Sequence, residues 1–271
     1  MTTLSVPRLR YPTEQHERAA AAVTEFFSSV PEVEAVLQTG STARGKAVHD
    51  SCLDFSILLR PEAAARDGAP LEARWREFYE SAHVFQSVRQ VGLYSHVDLD
   101  LIDGAFKPGP HHHTSGPDEF ELEIGNTLVY AVPLWEGGSY LQELKARWLP
   151  YYDEALRAQR LAEVWYYCTN NLNHIPPYAP RGLYFQAFKR FYDAFGEFLQ
   201  TLFISRRVYP IAYDKWIREQ VEEILGLPEL YRQLPALFEI THFESNEITG
   251  KAETLRGLLE AYVCDPEQSR R

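Results

Sequence analysis

The sequence predicts an α+β protein, with a small mixed-sheet domain over residues 1–145 followed by a helical bundle over 146–271. Three observations predict it. Short apolar runs bounded by turn residues punctuate the first half, as strands do. Helical stretches lie between those runs. From about Lys145 the strand-like runs stop, and apolar residues recur at helical spacing instead.

The elements follow in order. Residues 13–30 predict a helix: Thr13 can cap it, Glu14 and Glu17 favour its first turn, and an Ala-rich run leads to Pro31. VEAVLQ, 33–38, predicts a short strand ending at Gly40, and CLDFSILL, 52–59, a second strand after a polar loop. Residues 70–83 predict a helix with Leu71, Trp75, Phe78 and Tyr79 near one face. QVGLYSHVDLDLI, 90–102, predicts a third strand, and 103–118 a loop carrying His111, His112 and His113. That loop is a candidate lid or metal loop, and plainly a polar connection. FELEIGNTLVYAVPL predicts a fourth strand, interrupted near Gly125-Asn126.

In the second half, Leu161, Val164, Trp165, Cys168 and Leu172 keep helical spacing until Pro176-Pro177. RGLYFQAFKRFYDAFGEFLQTLFIS, 181–205, is apolar around much of its circumference, which predicts a helix buried among others. Residues 213–225, 228–239 and 247–262 predict three more.

A net charge of −11 argues against a protein that coats long nucleic acid, and suits a cationic small substrate. Three cysteines, Cys52, Cys168 and Cys264, form no CxxC pair and fit a reducing cytoplasm. No apolar leader and no membrane-length apolar run appears, so the expected location is cytoplasmic.

The chemistry concentrates in TGSTARGKAVHDSCLDFSILL, 39–59. Gly40-Ser41 after a strand lets backbone approach a ligand, the following turn can offer amides to phosphate, and Arg44 adds a suitable charge. A Gly-Ser turn alone is more often only a turn. On the next strand Cys52, Asp54 and Ser56 share a face by alternation. An aspartate among such apolar neighbours is costly to bury unless paired or bound to metal.

This segment resembles the signature of the polymerase-β-like nucleotidyltransferases, and within them the kanamycin-type antibiotic nucleotidyltransferases and an uncharacterised bacterial branch near them. Their pattern is an apolar residue, Gly-Ser, a spacer, then Asp-apolar-Asp/Glu-apolar. Two registers fit. In one, Cys52 replaces the first metal aspartate and Asp54 is the second; in the other, Asp54 is first and Ser56 replaces the second. Either way one carboxylate of the pair is missing, and Mg²⁺ prefers hard oxygen to thiol.

The family's third carboxylate lies on a neighbouring strand, where SHVDLDLID offers both Asp98 and Asp100 on one face. The expectation is that Asp54, Asp98 and Asp100 hold Mg²⁺, with one strand aspartate compensating for Cys52. Glu121 and Glu123 alternate with apolar residues and are candidates for the general base. Gly40, Ser41, Arg44, Lys189 and Lys215 are candidates for binding the nucleoside triphosphate. The stretch 181–216, with its Arg-x-Tyr-Pro and Lys-Trp, is loosely similar to the family's helical domain, and Tyr209 and Trp216 are candidates for lining a substrate cleft. The resemblance implies a Mg-dependent transfer of a nucleoside monophosphate, AMP from ATP or its equivalent from another NTP, to a hydroxyl of a small molecule. An aminoglycoside-like acceptor fits the acidic chain, and a homodimer is among the expected assemblies. The alternatives are a degenerate nucleotide- or partner-binding protein of the same fold, and a transferase acting on protein or tRNA.

Overall fold

A computed structural model describes residues 9–107 and 116–263. The three-histidine run 111–113 and Cys264 lie outside the described residues. The chain divides into two compact units: Met1–Phe106 with Glu123–Leu149, and Lys107–Leu122 with Pro150–Arg271. No described helix is long and apolar enough to cross a membrane.

The first unit is built on a four-stranded mixed sheet in the order β3-β2-β1-β4. β1 is Val33–Gln38, β2 Leu53–Leu59, β3 Val97–Ile102 and β4 Val132–Glu136. β1 runs antiparallel to β2 and β4, while β2 and β3 are parallel. Alternation sorts β2 into two faces. Leu53, Phe55, Ile57 and Leu59 pack into a core with Ala19, Val23 and Phe27 of helix α1 (Glu14–Ser28). Trp75 of α3 (Pro61–Ser81) and Phe85 of α4 (His83–Arg89) complete it. Each fully buried side chain of this kind contributes about 1.5–3 kcal/mol. The opposite face carries Cys52, Asp54 and Ser56, so burying one face of β2 dictates where its polar residues stand.

Thr13 caps α1 as its sequence indicates, accepting from the His16 amide. α3 begins at Pro61, earlier than the Leu71–Tyr79 apolar pattern suggests, because Pro61 suits a first turn and Pro70 is accommodated inside. The third strand is shorter than expected: residues 90–96 turn, and only Val97–Ile102 pairs. The largest departure is at FELEIGNTLVYAVPL. Residues 120–130 are helical, with a π-stretch at Leu122–Asn126 and α5 at Thr127–Tyr130, and only Val132–Glu136 is strand. Phe120, Ile124 and Leu128 are buried at i, i+4, i+8, a helical stripe that outweighs the period-two alternation of 120–124. Helix α6 (Tyr140–Trp148) closes the unit.

The second unit is helical. Its long pair is α7 (Glu154–His174) and α8 (Tyr184–Arg206). Leu161, Val164, Cys168 and Leu172 of α7 pack with Phe191, Phe195, Phe198 and Leu202 of α8. The Cys168 thiol donates to the Ala194 carbonyl at 3.4 Å, so its role is packing. The last helices are α9 (Pro228–Tyr231), α10 (Leu234–Leu237) and α11 (Glu247–Tyr262), with a π-stretch at Glu219–Ile224. The expected helices over 213–225 and 228–239 are therefore shorter and broken, the second by Pro235 at the start of α10.

Candidate active site in the first unit

β1 ends in Thr39, and the chain turns at once into a four-residue helix, α2 (Gly40–Ala43). Gly40 adopts φ +64°, and a Cβ there would collide with Asp54 Oδ2. The motif glycine thus has two jobs: it takes a left-handed turn and leaves room for a carboxylate against the loop. Asp54 is fixed through its backbone as well. Its carbonyl accepts from the Thr39 amide and from Gln38 Nε2, each at 2.8 Å. The Arg44 guanidinium donates back to the Gly40 carbonyl at 2.9 Å, bracing the turn. On the other side, the buried His16 ring donates through Nε2 to the Ser51 carbonyl at 2.9 Å, anchoring the residue before Cys52.

The parallel register places Asp54 opposite Asp98 and Ser56 opposite Asp100. Paired residues share a face, so all four project from one side of the sheet. Cys52, Asp54 and Asp98 offer ligand atoms that all lie within 4.8 Å of one another. Cys52 Sγ donates to Asp54 Oδ1 at 3.2 Å. Burial, followed by the Asp54 charge, pushes the Cys52 thiol up to about 12, so it keeps its proton near neutrality. His96, two residues before Asp98 on the same face, brings Nε2 to 3.1 Å from Asp98 Oδ1. The alternation His96-Val97-Asp98 carried that signal in the sequence; the roles of Gln38 and His16 had none.

Asp100 is not in this group. It is exposed and stands one pair farther along the strands, roughly 7 Å away at strand rise. Of the two candidate aspartates on β3, geometry groups Asp98 with Asp54.

The two glutamates expected on a shared strand face do not share one. In a helix, residues two apart point to nearly opposite sides. Glu121 belongs to the second unit and is fully buried. It accepts from Arg160, from Gln200 Nε2 at 2.6 Å and from Tyr152 at 2.7 Å. Arg160 also holds Asp118, whose carboxyl burial would raise but whose bonds to Arg160 keep lower than usual. Glu121 is therefore a member of a buried structural network, closed to a substrate hydroxyl. Glu123 belongs to the first unit and is exposed, beside Leu58 and Ile102. Those residues lie four positions beyond Asp54 and Asp98, roughly 13 Å along the strands.

Lys189 and Lys215 belong to the second unit. The Lys189 ammonium is paired with Asp193 at 2.7 Å, and Lys215 is exposed. Tyr209 is buried against Tyr151 and Tyr152, which makes it core, while Trp216 is partly exposed.

No protein-family model and no curated protein sequence matches the chain. Solved structures similar to it include a nucleotidyltransferase-like protein from Exiguobacterium sibiricum, at 14% identity and a TM-score of 0.44, over 93% of this chain and 77% of that one. At that level of likeness the site has to be read from its own residues.

The donor set fits one magnesium ion held by two carboxylates. Mg²⁺ commonly takes one or two carboxylates and fills its remaining positions with water and phosphate oxygens. Asp54 and Asp98 meet that demand. Cys52 does not, because a protonated thiol engaged with Asp54 offers no hard oxygen.

Proposed function

We propose that this protein is a nucleotidyltransferase that binds a nucleoside triphosphate with Mg²⁺ and transfers a nucleoside monophosphate, AMP from ATP, to a hydroxyl of a small molecule. The observation that carries the reading is the meeting of Asp54 and Asp98 beside the Gly40-Ser41 turn. In this reading Cys52 stands where the family pattern has its first carboxylate, and Asp54, paired across the sheet with Asp98, serves as the second.

Each residue has a task in this reading. The Gly40, Ser41 and Thr42 amides have no acceptor within their own short helix, which suits a phosphate placed there. Arg44 adds positive charge at the same turn. Asp54 and Asp98 would hold the metal, which supplies charge neutralisation on the phosphate oxygens. The acceptor oxygen attacks the α-phosphorus in line, the bond to the bridging oxygen breaks, and pyrophosphate leaves with that electron pair. The hydroxyl proton needs an acceptor. Asp100, exposed on the same face next to the metal pair, suits that role better than Glu123 at the far end of the strands or the enclosed Glu121. An acidic chain favours a cationic acceptor such as an aminoglycoside-like polyamine.

The test is pyrophosphate release from ATP with Mg²⁺ across a panel of small polyols, aminoglycosides, tRNA and protein, on wild type and Asp54→Asn. Acceptor-dependent release that the variant lacks supports the reading. A second reading, a nucleotide binder that has lost turnover, is favoured by the Cys52 thiol at the first position. It predicts nucleotide binding without release on any acceptor, and release gained in Cys52→Asp.

A further inference from the structure

We propose that the helical unit carries a binding site for a small organic cation with a quaternary or alkylated ammonium head on an apolar body. The site is a cavity of about 250 Å³ whose lining includes four aromatic side chains, Tyr192, Phe195, Tyr231 and Phe238, together with Asp214. The rest of the lining is aliphatic, and every lining residue belongs to the second unit. The inference is independent of the nucleotide reading, which rests on the first unit.

The chemistry of the lining selects the ligand class. Aromatic faces carry negative partial charge and attract a cation brought over them, here at an open cleft where Tyr192 and Asp214 are exposed. Phe195 meets Phe238 at 4.9 Å and 87°, and Tyr192 meets it at 6.2 Å and 67°. These are edge-to-face contacts, so no two of these rings stack face against face. Among the described residues Asp214 is the one charged group in the lining, and it is exposed at the cavity. A carboxylate beside four rings disfavours an anion and gives a neutral apolar ligand nothing to pair it with. An ammonium satisfies both the rings and the carboxylate.

Neighbouring charges agree. The Arg218 guanidinium lies 5.7 Å from the Tyr231 centroid, but it is outside the lining and its charge is met by Glu222 at 2.9 Å. Lys189 is paired with Asp193. The loop presenting Asp214 is held with Trp216 at φ 59°, a conformation unfavourable for a bulky residue that persists only where its surroundings fix it.

The test uses the full-length chain without nucleotide or magnesium, so it stands whatever becomes of the nucleotide reading. Choline and its neutral carbon isostere, 3,3-dimethylbutan-1-ol, are titrated by calorimetry. They share shape and differ in charge. The expected result is choline binding at least about ten-fold tighter than the isostere. Asp214→Asn and Tyr231→Leu should each weaken choline about five- to ten-fold at unchanged thermal midpoint. Asp214→Asn alters an exposed side chain and keeps the test alive if Tyr231→Leu does not fold. Equal binding of the two probes, binding unmoved by Asp214→Asn, or no choline binding up to about 20 mM overturns the proposal.

Discussion

Cys52 Sγ donates to Asp54 Oδ1 at 3.2 Å, at the position where one alignment with the family pattern would set two carboxylates side by side. The bond is what a thiol can do there that an aspartate cannot. It lets Asp54 sit beside its neighbour without like-charge repulsion in the metal-free protein. Under the proposed function the cost would fall on metal affinity, since a thiol offers no hard oxygen.

Restoring the carboxylate should reverse both effects. Cys52→Asp is expected to bind Mg²⁺ about ten-fold more tightly by calorimetry, and to be about 1 kcal/mol less stable without metal by urea denaturation. Equal magnesium affinity would place the ion away from Cys52.

Gly40 should tolerate no side chain. Gly40→Ala combines a left-handed φ, costing about 1 kcal/mol or more, with a collision against the Asp54 carboxylate. The expected outcome is a loss of about 2 kcal/mol in urea denaturation, with nucleotide affinity falling as Asp54 is displaced.

Asp98 and Asp100 should separate by experiment. Asp98→Asn is expected to lower Mg²⁺ affinity at least about ten-fold, because it would remove one of the two carboxylates proposed to hold the ion. Asp100→Asn should leave magnesium binding nearly intact and lower turnover about 100-fold if it takes the acceptor proton. Equal loss of metal binding in both variants would restore the three-aspartate cage.

The helical unit carries a pH signature. Glu197 is fully buried; Asn171 Nδ2 donates to its Oε2 at 2.9 Å, while Oε1 has no partner among the described residues. Burial raises its carboxyl from 4.5 to about 8. Because the folded value lies above the unfolded one, the folded state holds the extra proton between those limits. This contribution to stability is complete below about 4.5 and is lost as pH rises through about 8. Thermal midpoints should therefore fall more between about pH 5 and about pH 8 in wild type than in Glu197→Gln, which stays neutral throughout.

The sequence was informative where local chemistry and burial agreed. β1 and β2 appear within a residue of their predicted limits because each apolar run has one partner sheet and one core face. Leu161, Val164, Cys168 and Leu172 pack as their spacing indicates. The stretch around Glu121 was misleading because Phe-Glu-Leu-Glu-Ile fits both periods, and the deciding partners, Arg160 and Gln200, are 39 and 79 residues away. At the site, alternation gave Asp98 and Asp100 a common face on one strand and Cys52 and Asp54 a common face on another, but which strand aspartate meets Asp54 depended on the β2–β3 register. No local pattern encodes that register.

The most direct test of the central claim is calorimetric binding of a non-hydrolysable ATP analogue, with and without Mg²⁺, to wild type and Asp54→Asn. A magnesium site at Asp54 and Asp98 predicts binding that magnesium strengthens at least about ten-fold in wild type, with that gain lost in the variant. Binding indifferent to both magnesium and Asp54, or no binding at all, would contradict it.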